Sequence, residues 1–255
     1  MRALRTTTII AVLLVLAGCG YNTQTTSGHD WLAAEPAPKG LPTTDIDARV
    51  RQAAAVEPTL RFPARIGIAR IEHGSLSPIP AGEAQVWTES AGRLGEAYGE
   101  FVPVSPLIAA MFNEQNVSHR ISVRDTLESI RLAAARQHLD AVLIYEIDAT
   151  ADIHDNPLSI ADWTLIGAFV LPGRDVKAYG AAQAMLLDVR NGYPYGTVQA
   201  HADDNTVSQA FGSRDASEKL ADKVRAAAVV NLVTETESML RKLRPELAAL
   251  DRKKK

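Results

Sequence analysis

The chain has 255 residues, 46% of them hydrophobic and 22% charged, with a formal charge of −3. That supplies enough apolar material for a buried core and lacks the basic excess of a nucleic-acid surface. A single cysteine excludes an internal disulfide framework, so the fold must rest on hydrophobic burial.

Arg2 and Arg5 precede an apolar run from Thr6 to Leu16, shorter than the roughly 20 residues of a membrane-spanning helix, and the pair reads as a signal peptide over residues 1–18. The run closes on Leu16-Ala17-Gly18-Cys19. This tetrapeptide resembles the lipobox of bacterial lipoprotein precursors, whose small residues admit a peptidase beside a cysteine that is acylated first. The resemblance implies palmitate-type chains on Cys19 and a bilayer as the first partner. Burial is worth about 0.8 kcal/mol per CH₂, so several chains anchor stably where one binds reversibly. Gly20 stands where an aspartate would resemble the inner-membrane retention signal, so the expected address is the outer membrane, facing the periplasm.

Residues 19–58 are rich in Thr, Ser, Pro, Gly and Ala and lack a sustained apolar period, which reads as a lipidated cysteine followed by a flexible tether. A short helix is expected within it from Asp45 to Val56. Trp31 has two readings, dipping into lipid headgroups or docking on the domain. The domain itself is expected over 59–246, with 247–255 a basic tail.

Arg65 to Ile71 reads as the first core strand, Glu83 to Tyr98 as a helix, and Phe101 to Val104 as a strand whose proline puts it at a start or an edge. Asp125-Thr126-Leu127-Glu128 has the capping-box form and opens a helix through His138. A strand starts at Asp140, and the helix-to-strand step marks an α/β layer. Trp163 to Leu171 reads as a strand ending at Pro172-Gly173. Ala178 to Val189 and Tyr193 to Ala202 flank Asn191-Gly192, a hairpin signal. Leu220, Val224, Ala227 and Ala228 lie at helical spacing in a final helix from Ala216 to Arg244, ended by Pro245. The expected fold is one small α/β (α+β) domain: a mixed sheet with an antiparallel C-terminal meander and helices packed on it.

From Tyr145 to His154 the odd positions are mostly apolar, while Glu146, Asp148, Thr150, Asp152 and His154 share the other face. One reading is a metal or acid–base site on Asp148, Asp152 and His154, with His201 supplying help from the hairpin. Side chains on one strand face stand roughly 6.5–7 Å apart, wide for chelating one ion, so a solvated outer face is the preferred reading. His73 and His119 fall in loops, and no histidine pair has zinc-like spacing. Ser213 falls in a loop without a placed base. Gly67 and Gly167 are read as close-packing positions within strands. Trp163, Phe169, Tyr193 and Tyr195 are read as core in preference to a partner groove. No catalytic residue, cofactor or metal is therefore assigned.

The blocks Phe62 to Ala69, Leu139 to Tyr145 and Trp163 to Val170, in that order behind the lipobox, resemble the rhombotarget lipoproteins, a family of bacterial envelope lipoproteins. The resemblance spans Arg61 to about Leu240. It implies co-occurrence with an intramembrane-protease sorting system and brings no catalytic residues. More loosely, the element order is similar to the small α/β domains of periplasmic lipoproteins that assemble export pores or activate cell-wall synthases. The expected function is a noncatalytic adaptor or assembly factor that binds another envelope protein. An envelope hydrolase on the Asp148, Asp152 and His154 face, and a self-assembling homo-oligomeric subunit, are the alternatives.

Overall fold

The computed structural model describes residues 19–34, 45–112, 123–155, 174–208 and 213–253. Strand β2 (Ala64–Glu72) organises the first half. It turns at His73-Gly74, both at positive φ, into the antiparallel β3 (Ser75–Ser77). Ahead of that turn it pairs in parallel with β4 (Gly99–Pro103) on one side and β5 (Ala141–Asp155) on the other. In β2 a Cβ on Gly67 would stand 2.8 Å from side-chain atoms of both Leu139 and Val104, which confirms that position as a close-packing glycine. Gly167 and His119 lie outside the described residues.

The second half is an antiparallel meander of β5, β6 (Arg174–Asp188) and β7 (Pro194–Ser208), each 15 residues long. The short β1 (Gly20–Thr23) closes its edge on β7. The order across the sheet is β1-β7-β6-β5-β2-β3, with β4 also on β2. This is the expected mixed sheet with an antiparallel C-terminal meander.

One face is covered by α3 (Ala81–Leu94) and by α6 (Ser213–Lys253), which at 41 residues is about 60 Å long. Trp87 and Leu94 of α3, with Ala228, Leu232, Met239 and Leu243 of α6, close over Ile66, Leu143, Tyr145, Leu186, Val198 and Ala200. The other face is covered only around β2, where α4 (Pro106–Ala110) and α5 (Val123–Arg136) bury Ala109, Ile130, Ala133 and Ala134 against Ala69, Val142 and Ile144.

Four expectations change. Helix α3 stops at Gly95, whose φ of 76° breaks the helix before Tyr98. Helix α5 begins at Val123, so Asp125 sits in its first turn instead of capping it, where its charge still favours the helix dipole. Ser213 is the first residue of α6 and not a loop residue. That helix also runs through Pro245 to Lys253, although an interior proline costs about 3 kcal/mol. Beyond the proline, Leu247 is 2% exposed in the main core and Asp251 is paired with Arg61, and these contacts hold the last turns.

The N-terminal stretch also differs. Where a tether is expected, Gly20 to Thr23 pairs with Gln199 to Gly196, and the Gln24 N–H donates to the Tyr195 carbonyl. Helix α1 (Gly28–Ala34) then packs on α2 (Asp45–Ala54), the expected short helix, and the Glu57 carboxylate accepts from the Ser27 hydroxyl at 2.9 Å and the His29 N–H at 2.8 Å. A Cβ on Gly196 would collide with the Asn22 carbonyl and the Met239 sulfur.

Two polar locks join the layers. The fully buried Asp188 accepts from the Arg190 and Asn191 N–H groups with one oxygen, and from the hydroxyls of Tyr195 (2.7 Å) and Thr59 (2.6 Å) with the other. The Tyr195 oxygen in turn accepts from the Thr59 and Leu60 N–H groups. In the second lock, the Tyr145 hydroxyl donates to Glu83 at 2.7 Å and the Arg70 Nε donates to the same oxygen at 3.1 Å. Tyr193 and Tyr195 are core residues at 2% and 0% exposure, as expected; Trp163 to Leu171 lies outside the described residues.

Burial, reinforced by the neighbouring carboxylate, pushes both the Tyr145 and Tyr195 hydroxyls well above the ordinary phenol range. Their folded forms thus keep the proton after the unfolded chain loses it near pH 10. The contribution is fully present below that pH and declines above it. Urea midpoints should fall steeply above about pH 10, and Tyr145→Phe should flatten that fall. Tyr195→Phe should cost about 1–3 kcal/mol at neutral pH, read from the same urea curves.

Candidate functional site: the open sheet face

Period two puts alternate residues of β5, β6 and β7 on the face that α6 does not cover. The pairing register arranges them in rows across the sheet. Glu146 lines up with Gln183 and Gln199, Asp148 with Ala181 and His201, and Thr150 with Tyr179 and Asp203. Asp148, Thr150, Ala181, Gln183, Gln199, His201 and Asp203 are all exposed, and Tyr179 is 54% exposed. No described element lies over these rows.

The middle row is the low point. Ala181 stands between Asp148 and His201, whose backbones are two strand spacings or roughly 10 Å apart, and it leaves a trough walled by Gln183 on one side and Tyr179 on the other. The pairing of β2 with β5 ends at Ile71 opposite Glu146, so from Ile147 onward β5 has no partner on that edge among the described residues. A cleft of about 570 Å³ opens at this step, lined by Glu72, His73, Glu146, Asp148, Ala181, His201 and Arg225. Hydrogen bonding to Arg70, followed by its charge, holds the Glu72 carboxyl below the usual range, so Glu72 is ionised at neutral pH. Glu72 is already paired with Arg70 at 2.9 Å, so Glu146 and Asp148 against Arg225 leave the cleft a slight negative balance suited to a cationic group.

Asp148 of the expected acidic face shares one cross-sheet row with His201, the hairpin residue expected to help it, with Ala181 between them. The side chains of Asp152 and His154 lie outside the described residues; their backbones pair with Lys177 and Asp175. His73 lies at the rim of the same cleft, a placement that sequence spacing does not reveal. Among the described residues no group of three or more His, Cys, Asp or Glu is arranged to hold a metal ion. Cys19 is exposed, and its sulfur lies 3.9 Å from the His201 carbonyl, at the sheet edge beside this face.

Fold and site together define a small mixed α/β domain with one sheet face covered and the other covered around β2 and, among the described residues, open and polar over β5, β6 and β7. No protein-family model matches the chain, and no curated protein matches it. Among solved structures it is similar to the PelC dodecamer from Paraburkholderia phytofirmans, at 11% identity over 69% of this chain and 91% of that one, with a TM-score of 0.29. It is also similar to lipoprotein GNA1162 from Neisseria meningitidis, at 17% identity over 63% and 98% of the two chains and a TM-score of 0.28. A third is the hypothetical protein CT253 from Chlamydia trachomatis, at 12% identity over 69% and 97% with a TM-score of 0.29. Overlap of that extent transfers neither partner nor activity.

Because Ala181 is exposed and small, Ala181→Arg should fill the trough while shifting stability by no more than about 0.5 kcal/mol. Binding of any partner that uses this face should be lost, as read by pull-down beside a urea curve.

Proposed function

We propose that this chain is a bacterial envelope lipoprotein, acylated on Cys19 after loss of residues 1–18, whose domain is a noncatalytic adaptor for another envelope protein. The observation that carries the adaptor reading is the open face of the three long strands. Its polar rows, and a β5 edge that is unpaired from Ile147 onward among the described residues, offer hydrogen bonds and negative charge to a partner. The partner would present lysine or arginine to the Glu146 and Asp148 side of the cleft.

The lipid reading is supported by the lipobox resemblance and by the exposure of Cys19, which leaves the thiol available for acylation. No helix among the described residues is long and apolar enough to cross a membrane. Outer-membrane residence facing the periplasm follows from Gly20, and membership among the rhombotarget lipoproteins from the three sequence blocks. Both belong to this proposal.

In-cell crosslinking of the native chain and of Cys19→Ser, with recovery from membranes, tests it. One near-stoichiometric partner that is lost or weakened without the lipid is the expected result. Only self-crosslinks would point to a homo-oligomeric subunit. The enzyme reading has one observation in its favour, the shared row of Asp148 and His201. Turnover of an envelope substrate by the native chain, abolished in both Asp148→Ala and His201→Ala, would put that reading first.

A further inference from the structure

Resting on the lipid reading above, we propose that the domain lies on the bilayer by its β1 edge, with the long strands running along the membrane surface. Gly20 is already paired with Gln199, so no spacer separates the acylated residue from the sheet. Past that point β7 continues from Ala202 to Ser208, roughly 23 Å at the ordinary strand rise. This arm carries Asp203 and the Asp204–Lys223 ion pair. Standing the strands upright on the anchor would drive those charges into hydrocarbon, a costly burial. A domain that can neither rise from its anchor nor enter the bilayer must lie along it.

An independent feature of the same edge fits headgroups. Lys242 sits over the Tyr21 ring of β1 at 5.8 Å. Past the other end of β1, Trp31 is 59% exposed beside Leu250 and Lys253, and Arg252 and Lys253 are exposed. Asp30 and Glu246 line the same hollow, so the patch is of mixed charge; exposed aromatic and lysine side chains at an edge are the usual interfacial pairing, and Lys242, Arg252 and Lys253 outnumber those two acids there. The opposite edge carries Leu107 on α4, 82% exposed. With β1 on the surface, the row of His201, Ala181 and Asp148 stands one to three strand spacings, roughly 5–15 Å, above the headgroups. The open face then meets partners sideways, at the membrane.

The test uses the acylated full chain in vesicles of phosphatidylethanolamine and phosphatidylglycerol. Because Cys19 is capped, an introduced cysteine is the only free thiol. A fluorophore is placed through Lys253→Cys, Asp203→Cys or Leu107→Cys and quenched by lipid carrying a headgroup nitroxide. Loss of emission at 253 and at 203, with none at 107, is the expected result. Quenching at 203 alone means an upright domain, and equal quenching at all three means a loose one; either overturns the proposal. Shielding at 253 that persists in detergent and rises with protein concentration gives this edge to a second copy and also overturns it. The mass of the N-terminal peptide separates the failures: unacylated Cys19 removes the lipid reading itself, whereas acylated Cys19 with position 253 unquenched removes only this inference.

Discussion

The arrangement depends on the close approach of one long helix to one face of the meander. Residues Ala178, Gly180, Ala182 and Ala184 of β6 and Ala200 of β7 turn toward α6, and a Cβ on Gly180 would stand 2.8 Å from the Val224 carbonyl. Only small side chains allow the helix to run this near the strands. An interface of alanines buries little apolar area per residue, so larger side chains at its ends carry much of the packing. Met239, Leu240 and Leu243 share the core with Tyr195, and beside α6 the α3 residue Trp87 packs at a tilt on Tyr145 at a ring separation of 5.4 Å. The Asp188–Tyr195 and Arg70–Glu83–Tyr145 locks then fix the register between layers. With one face committed to α6, the polar face of the same strands is uncovered among the described residues.

This division also orders the chain's chemistry. The buried carboxylates Glu83 and Asp188 are each satisfied by donors from other elements and serve the fold. The carboxylates of the open face, by contrast, project toward solvent around a cleft with a negative balance. Cys19 lies at the edge of that face, its sulfur 3.9 Å from the His201 carbonyl, so the proposed anchor and the proposed binding surface fall side by side on one sheet.

Much of this was legible because it follows local periodicity. The alternation from Tyr145 onward marked a half-buried strand, and the 3.6-residue spacing of Leu220, Val224 and Ala228 marked the covering helix, although Ala227 beside them faces out. Features set by tertiary contact were not legible. Strand β1 is a Gly-Tyr-Asn-Thr edge held by backbone hydrogen bonds, so it shows no apolar pattern. Helix α6 crosses Pro245 because Leu247 and the Arg61–Asp251 pair hold its far side. The shared row of Asp148 and His201 depends on two hairpin registers. One is set by a connection from Val189 to Tyr193, which is longer than the two-residue turn that Asn191-Gly192 suggests and is capped by Asp188. No spacing in the sequence encodes that row.

The most direct measurement is site-specific photo-crosslinking in cells, with a photoreactive residue at Gln199 on the open face or at Lys219 on the solvent side of α6. The adaptor reading predicts one envelope protein captured from position 199 and nothing from position 219. Capture from position 219 alone, or of no protein from either position by the membrane-bound chain, would contradict it.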